Sequence, residues 1–215
     1  MYMKYTNIST KNSELLENLI LKHGVVVTAQ DIFSKASAFL NHKQAQYFIA
    51  SLTKQGWLMR IKKGLYAISD FSSRGFLSLS VYQIANLLVN DSYVSFEQAL
   101  QHYGMFDQLL SGVTSVSLKE YQATQLQHIK YGFVTTKADY YFGWHEVLIY
   151  NKAVRIATAE KALVDMVHFH RSLYGVDLVI EKLREHSKDI DFVRLNESIV
   201  KMSITTIKVF GFMFD

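Results

Sequence analysis

The chain has 215 residues, 49% hydrophobic and 20% charged, which is enough for one large globular domain or two small ones. It holds no cysteine and no proline. Disulfides, thiolate metal sites and thiol nucleophiles are therefore excluded, the reducing cytoplasm is the expected location, and Gly, Asn and Ser must punctuate the chain. The net charge of +4 is unevenly spread: residues 1–75 carry ten Lys and Arg against four Asp and Glu, and the remainder thirteen against fifteen, so a surface for nucleic acid belongs to the first third.

Residues 1–11 read as a loose polar arm. They offer no apolar core for a signal peptide, and no run of about 18 apolar residues follows, so no membrane contact is expected. Ser13 is placed to cap a helix over 13–22 with the stripe Leu15, Leu16, Leu19 and Ile20, ended by Gly24. The β-branched run 25–27 is a short strand candidate. Thr28 is an N-cap, and Ala29, Ile32, Phe33 and Ala36 recur at helical spacing. Asn41 caps a further helix through residue 55 with Ala45, Phe48, Ile49 and Leu52 on one face. The opposite face carries Lys43, Gln44, Gln46, Tyr47, Ser51 and Lys54, side chains that reach phosphates and base edges. Gly56 stops the helix. Two strand-like runs, 57–61 and 65–68, are joined by the three-residue loop Lys62-Lys63-Gly64, and Arg60, Lys62 and Lys63 make this hairpin positive. Helix, turn, recognition helix and basic wing is the reading of residues 28–68. The bland alternative is a helical core with a solvated surface, or a winged helix used for protein contact. The DNA-binding set is Lys43, Gln44, Gln46, Tyr47, Lys54, Arg60, Lys62 and Lys63.

Residues 69–75, polar and Ser-rich, form the candidate linker, dividing a domain at 1–70 from an α+β domain at 76–215. A helix is predicted over 77–89, broken by Asn90-Asp91. Ser95 and Gln98 have the capping-box spacing before a short helix that Gly104 stops. Strands are predicted over 113–118, 128–135 and 140–150, with a turn at Asn151-Lys152 into another at 153–157. Thr158 caps a helix to about residue 170, Gly175 interrupts, amphipathic helices span 176–185 and 195–201, and the apolar end docks as helix or strand.

Catalytic chemistry is not apparent. There is no P-loop, dinucleotide fingerprint, nucleophile elbow or zinc motif. His168 and His170 are two apart, which on a regular helix points them about 200° away from each other. Lys161 and Asp165, four apart, read as a surface pair, and Asp189 and Asp191 as a solvated loop. Tyr140, Tyr141, Phe142 and Trp144 read as packing aromatics, with base stacking the lesser alternative. No metal or cofactor is expected, and an enzyme is the weakest reading.

The order of features is similar to a known family. A winged helix ending Lys63-Gly64-Leu65-Tyr66 is followed by Tyr93-Val94-Ser95-Phe96-Glu97-Gln98-Ala99-Leu100-Gln101-His102-Tyr103-Gly104. Much later comes Ile156-Ala157-Thr158-Ala159-Glu160-Lys161-Ala162-Leu163-Val164-Asp165. This resembles the AbiEi antitoxins and transcriptional regulators of abortive-infection phage defence, from about Ser13 to Phe212. Ala159 stands where relatives often have proline, a first-turn residue. The resemblance implies double-stranded operator DNA as one partner and an AbiEii-type nucleotidyltransferase toxin as the other, with the protein a monomer in solution that pairs on DNA. The second reading is a stand-alone repressor whose C-terminal domain dimerises or senses a ligand.

Overall fold

The computed structural model describes residues 9–37, 40–69, 79–170 and 172–214. The chain divides into two compact units, Met1–Ser80 and Val81–Asp215. Of the linker predicted over 69–75 only Ser69 is described, buried and donating its N–H to Trp57 O (3.0 Å). Of the arm expected over 1–11 the last three residues instead cap and begin the first helix. The rest of both lies outside the described residues.

The first unit is a winged helix. Helices α1 (Thr10–His23), α2 (Ala29–Ala36) and α3 (His42–Lys54) alternate with strands β1 (Val26–Thr28), β2 (Leu58–Lys62) and β3 (Leu65–Ile68). The sheet is antiparallel in the order β1-β3-β2. The apolar stripes meet as the periodicity requires: Leu15, Leu16 and Leu19 of α1, Ile32 and Ala36 of α2, and Ala45, Ile49 and Leu52 of α3 close one core with Val27, Leu58 and Ile68. The cap of α1 falls four residues earlier than predicted, at Ser9. The Ser13 hydroxyl instead donates to Glu17 one turn on, at 3.2 Å.

Around the turn the capping follows sequence closely. Thr28 accepts from Asp31 N (3.1 Å), and the Asp31 carboxylate accepts from Thr28 N (2.8 Å), a reciprocal box. Those Thr28 hydrogen bonds hold the Asp31 carboxyl below its ordinary pKa. At the other end of α3, Gly56 (φ +84°) closes a left-handed cap: Trp57 N donates to Leu52 O (2.9 Å) and Gly56 N to Thr53 O (3.1 Å). The chain therefore leaves the recognition helix in a fixed direction, straight into the wing.

The second unit is α+β. Strands β4 (Ser92–Val94), β5 (Gly112–Ser117), β6 (Thr124–Leu126), β7 (Ile129–Thr135), β8 (Trp144–Ile149) and β9 (Lys152–Ala157) form a mixed sheet in the order β6-β7-β5-β4-β9-β8. The β4–β9 and β5–β7 pairs are parallel and the rest antiparallel. Helices α4 (Val81–Leu88), α5 (Phe96–His102), α6 (Ala159–Asp165), α7 (Leu173–Glu185), α8 (Phe192–Val200) and α9 (Ile204–Phe214) complete it.

Several local expectations give way here to tertiary contacts. The strand predicted to begin at residue 140 begins at Trp144, after a 3-10 turn over Ala138–Tyr140. Its hairpin turns on Tyr150 and Asn151 (φ +47° and +57°), one residue before the predicted pair. Residues Met166–His170 continue α6 as a π-helix, so the regular-helix angle between His168 and His170 does not apply. His168 is buried with Nδ1 2.8 Å from Thr206 Oγ1, and His170 stacks on Phe96 at 4.8 Å. Gly175 does not interrupt: it lies in the first turn of α7, where its N–H donates to the Ser172 hydroxyl at 3.2 Å. Asp191 is a cap, accepting from Val193 N (3.0 Å) and Arg194 N (3.1 Å) at the start of α8.

The largest departure concerns Lys161 and Asp165. Both side chains are fully buried, and their ion pair lies inside the protein rather than on its surface. Asp165 Oδ2 also accepts from the Ser95 hydroxyl (2.7 Å) and the Tyr93 hydroxyl (3.1 Å). Ser95 consequently makes no capping bond to α5, and Gln98 donates to Tyr82 and Gln101, so the predicted capping box is absent. The turn that presents Ser95 runs through Phe96 in a left-handed conformation (φ +59°), a strained state for a side chain buried to 0% exposure. Lys161 Nζ lies 4.7 Å from the Phe142 ring centroid, and Gly143 (φ +72°) passes against the Lys161 stem, where a Cβ would meet Cγ at 2.9 Å. Tyr93 in turn packs against Tyr141 and Trp144 (5.2 and 6.4 Å), so the 141–144 aromatics cover the ion pair.

Candidate nucleic-acid interface

The structure gives the predicted DNA-binding residues a common character. Lys43, Gln44, Gln46, Tyr47 and Lys54 of α3, and Arg60, Lys62 and Lys63 of the wing, are all exposed. Tyr47 is 67% exposed, unusual for an aromatic ring of a packed helix. Ala45, Ile49 and Leu52 anchor the opposite face, so the polar side of α3 is directed outward by burial.

Two details revise the detailed reading. The Gln44 Oε1 atom accepts from Asn41 N (2.9 Å), and Gln44 N donates to Asn41 Oδ1 (2.9 Å). Gln44 is thus the third-position partner in a capping box, and its carboxamide oxygen is committed to the helix start. A two-bond contact to adenine needs that oxygen as well as the amide N–H, so Gln46 is the better placed of the two glutamines. The wing loop is shorter than predicted. Lys62 pairs with Leu65, leaving Lys63 and Gly64 as a two-residue connection, and the ladder shifts register between Arg60 and Lys62. Gly64 takes the positive φ (+76°) that this loop requires, and its carbonyl accepts from Ala29 N (2.8 Å), tying the wing tip to the start of α2. Lys62 and Lys63 stand at the tip and Arg60 on the strand leading to it.

Residues 14–69 match a family model described as transcriptional regulator, AbiEi antitoxin. The match runs from α1 to the end of the wing and so covers the winged helix, and this segment is similar to that of antitoxins and regulators rather than enzymes. The stretches around Ser95 and Lys161 fall outside it. A crystal structure of the RV2827C protein from Mycobacterium tuberculosis shares the fold, with a TM-score of 0.68 at 17% identity over 97% of this chain and 78% of that chain. No curated protein sequence matches the chain. Among the described residues no helix is long and apolar enough to cross a membrane.

Proposed function

We propose that the protein is the antitoxin of an abortive-infection pair and represses its own operon. In this reading α3 enters the major groove of operator DNA, with Lys43, Gln46 and Tyr47 foremost. Arg60, Lys62, Lys63 and Lys54 contact phosphates, and the second unit restrains a nucleotidyltransferase toxin of the AbiEii type. The observation that supports it best is the outward basic face of α3 beside a basic wing, on the segment that matches the AbiEi antitoxin model.

Titration of the full-length protein onto the DNA upstream of its own gene, at two salt concentrations and beside a scrambled duplex, tests the operator half. Preference for the native duplex that weakens steeply with salt is expected. Replacing Lys62 and Lys63 by alanine should weaken binding to every duplex and lower the salt slope by about 2. Equal weak binding to both duplexes, or no effect of the double substitution, refutes it. Co-expression with the neighbouring nucleotidyltransferase tests the toxin half: rescued growth supports the antitoxin, and absence of rescue leaves a stand-alone repressor.

A further inference from the structure

In the second unit one buried charged atom has no hydrogen bond. Glu160, in the first turn of α6, is 4% exposed. Its Oε1 accepts from the backbone N–H of Asp191 at 3.1 Å, which joins α6 to the start of α8. Its Oε2 is enclosed and accepts nothing. The nearest cation, Arg194 Nη1, stands 3.9 Å away, beyond hydrogen-bond reach, on a side chain that is 56% exposed and also shared with Asp191 at 3.8 Å. Burying a carboxylate with an oxygen unused is costly, so the position favours a donor from outside.

Glu160 is one of the residues lining an open cleft of about 450 Å³, with Tyr103, Met105, His145, Asp189 and Arg194, while its Oε2 is closed off from solvent. A carboxylate oxygen only accepts, so its complement must present N–H groups. Glu160 and Asp189 outweigh the single charge of Arg194, so that complement is a cation. The Tyr103 hydroxyl already donates to Ala157 O (3.0 Å). Burial, with Glu160 adding to it, pushes this phenol up to about 12, so it stays neutral. Tyr103 and the buried Met105 thus offer apolar wall to a methylene stem. A planar fork of donors suits two separated carboxylates better than a point charge does. Beside Arg194 in α8, Phe192 and Val193 are 45% and 71% exposed, apolar surface that a protein covers and a small polyamine does not.

We propose that this cleft takes the guanidinium of an arginine side chain from a partner protein. Glu160 Oε2 accepts from it, and Arg194 swings out to admit it. This goes beyond the operator reading and is tested without DNA or toxin, so failure of one leaves the other standing.

The experiment is an NMR titration of the full-length protein with N-acetyl-arginine methylamide. N-acetyl-citrulline methylamide serves as the neutral isostere and spermidine as a free polycation. Saturable shifts at Tyr103, Glu160 and Val193 are expected for the arginine probe, about tenfold weaker for citrulline. Glu160→Gln keeps the shape and the Oε1 contact and should weaken binding to the same degree, with the thermal transition of the second unit as its folding control. Arg194→Ala, which removes the competing cation from an exposed position, should tighten binding about threefold. Absence of shifts in both the wild type and Arg194→Ala overturns the proposal. So does equal binding of citrulline, and so does tighter saturation by spermidine, which would assign the cleft to a small cation.

Discussion

Asp165→Asn keeps the shape of the side chain that Tyr93, Ser95 and Lys161 all address, and removes its charge. The Lys161 ammonium is then left fully buried with no carboxylate, a change that costs about 3–5 kcal/mol where it has been measured in other interiors. The rings of Phe142 and Tyr93, 4.7 and 5.9 Å from Nζ, offset part of this, so the lower end, about 3 kcal/mol, is expected. For a unit spanning Val81–Asp215 that corresponds to a fall of roughly 10 °C in Tm. The chain's tryptophans make the assay selective: Trp57 is in the first unit and Trp144 in the second. In a Trp57→Phe background the fluorescence of Trp144, which packs on Tyr93, reports the second unit alone. Lys161→Met and Asp165→Leu combined with Tyr93→Phe and Ser95→Ala should recover most of the loss, because the two charges and the two hydroxyls that Asp165 accepts from are then removed together and nothing is left unpaired. A loss below about 1 kcal/mol for Asp165→Asn would refute the argument, and so would a fourfold variant as unstable as the single one.

Three further outcomes are expected. Gly143→Ala puts a methyl group 2.9 Å from Lys161 Cγ at a left-handed residue and should destabilise the second unit by about 2 kcal/mol. Gly104→Ala, equally left-handed but with open space around its Cβ, should cost about 1 kcal/mol, and equal melting of the two variants would exclude the Lys161 contact as a cause. Gln46→Ala should weaken operator binding by about 1–3 kcal/mol without changing stability, whereas Gln44→Ala should lower the stability of the first unit by about 1 kcal/mol; parallel binding and melting experiments separate them. The Asp31 carboxyl is held below its ordinary pKa by Thr28 in the folded state, so its contribution is complete above the unfolded value and is lost as pH falls through the folded one. Melting of the first unit should therefore drop as pH falls below the ordinary carboxylate range, and Asp31→Asn should flatten the curve there.

Sequence periodicity reached the winged helix almost whole, because α1, α2 and α3 each bury one stripe and leave the other face wet. In the second unit that signal weakens. All seven residues of α6 are buried, so no wet face exists to orient Lys161 and Asp165, and their four-residue spacing looks the same on a surface. Ala159, Ala162, Leu163, Val164, Met166 and Val167 fall within about 200° of a regular helix and leave Lys161 and Asp165 on the remaining side, so the sequence reads as an amphipathic helix and gave no warning that both charges are buried. Ser95 likewise satisfied a local capping rule while its hydroxyl was engaged by Asp165, 70 positions away. Strands β4 and β6, of three residues each, are too short to show alternation. Among the proposed DNA-binding residues, exposure was legible from the helical face. The engagement of Gln44 in its own cap was not drawn from the sequence, although the Asn41–Gln44 spacing carries it.

The parallel pairing of β4 with β9, sealed by Asp165, sets an order of events during synthesis. β4 lacks its central neighbour until the ribosome has delivered the residues around Ile156. The winged helix, whose pairings all lie between Val26 and Ile68, has its full set of partners long before then. At an elongation rate of about 5–20 residues/s the stretch from Ile68 to Ile156 takes roughly 5–20 s to make, and for that interval a nascent chain presents a finished wing and recognition helix joined to a sheet that cannot yet close.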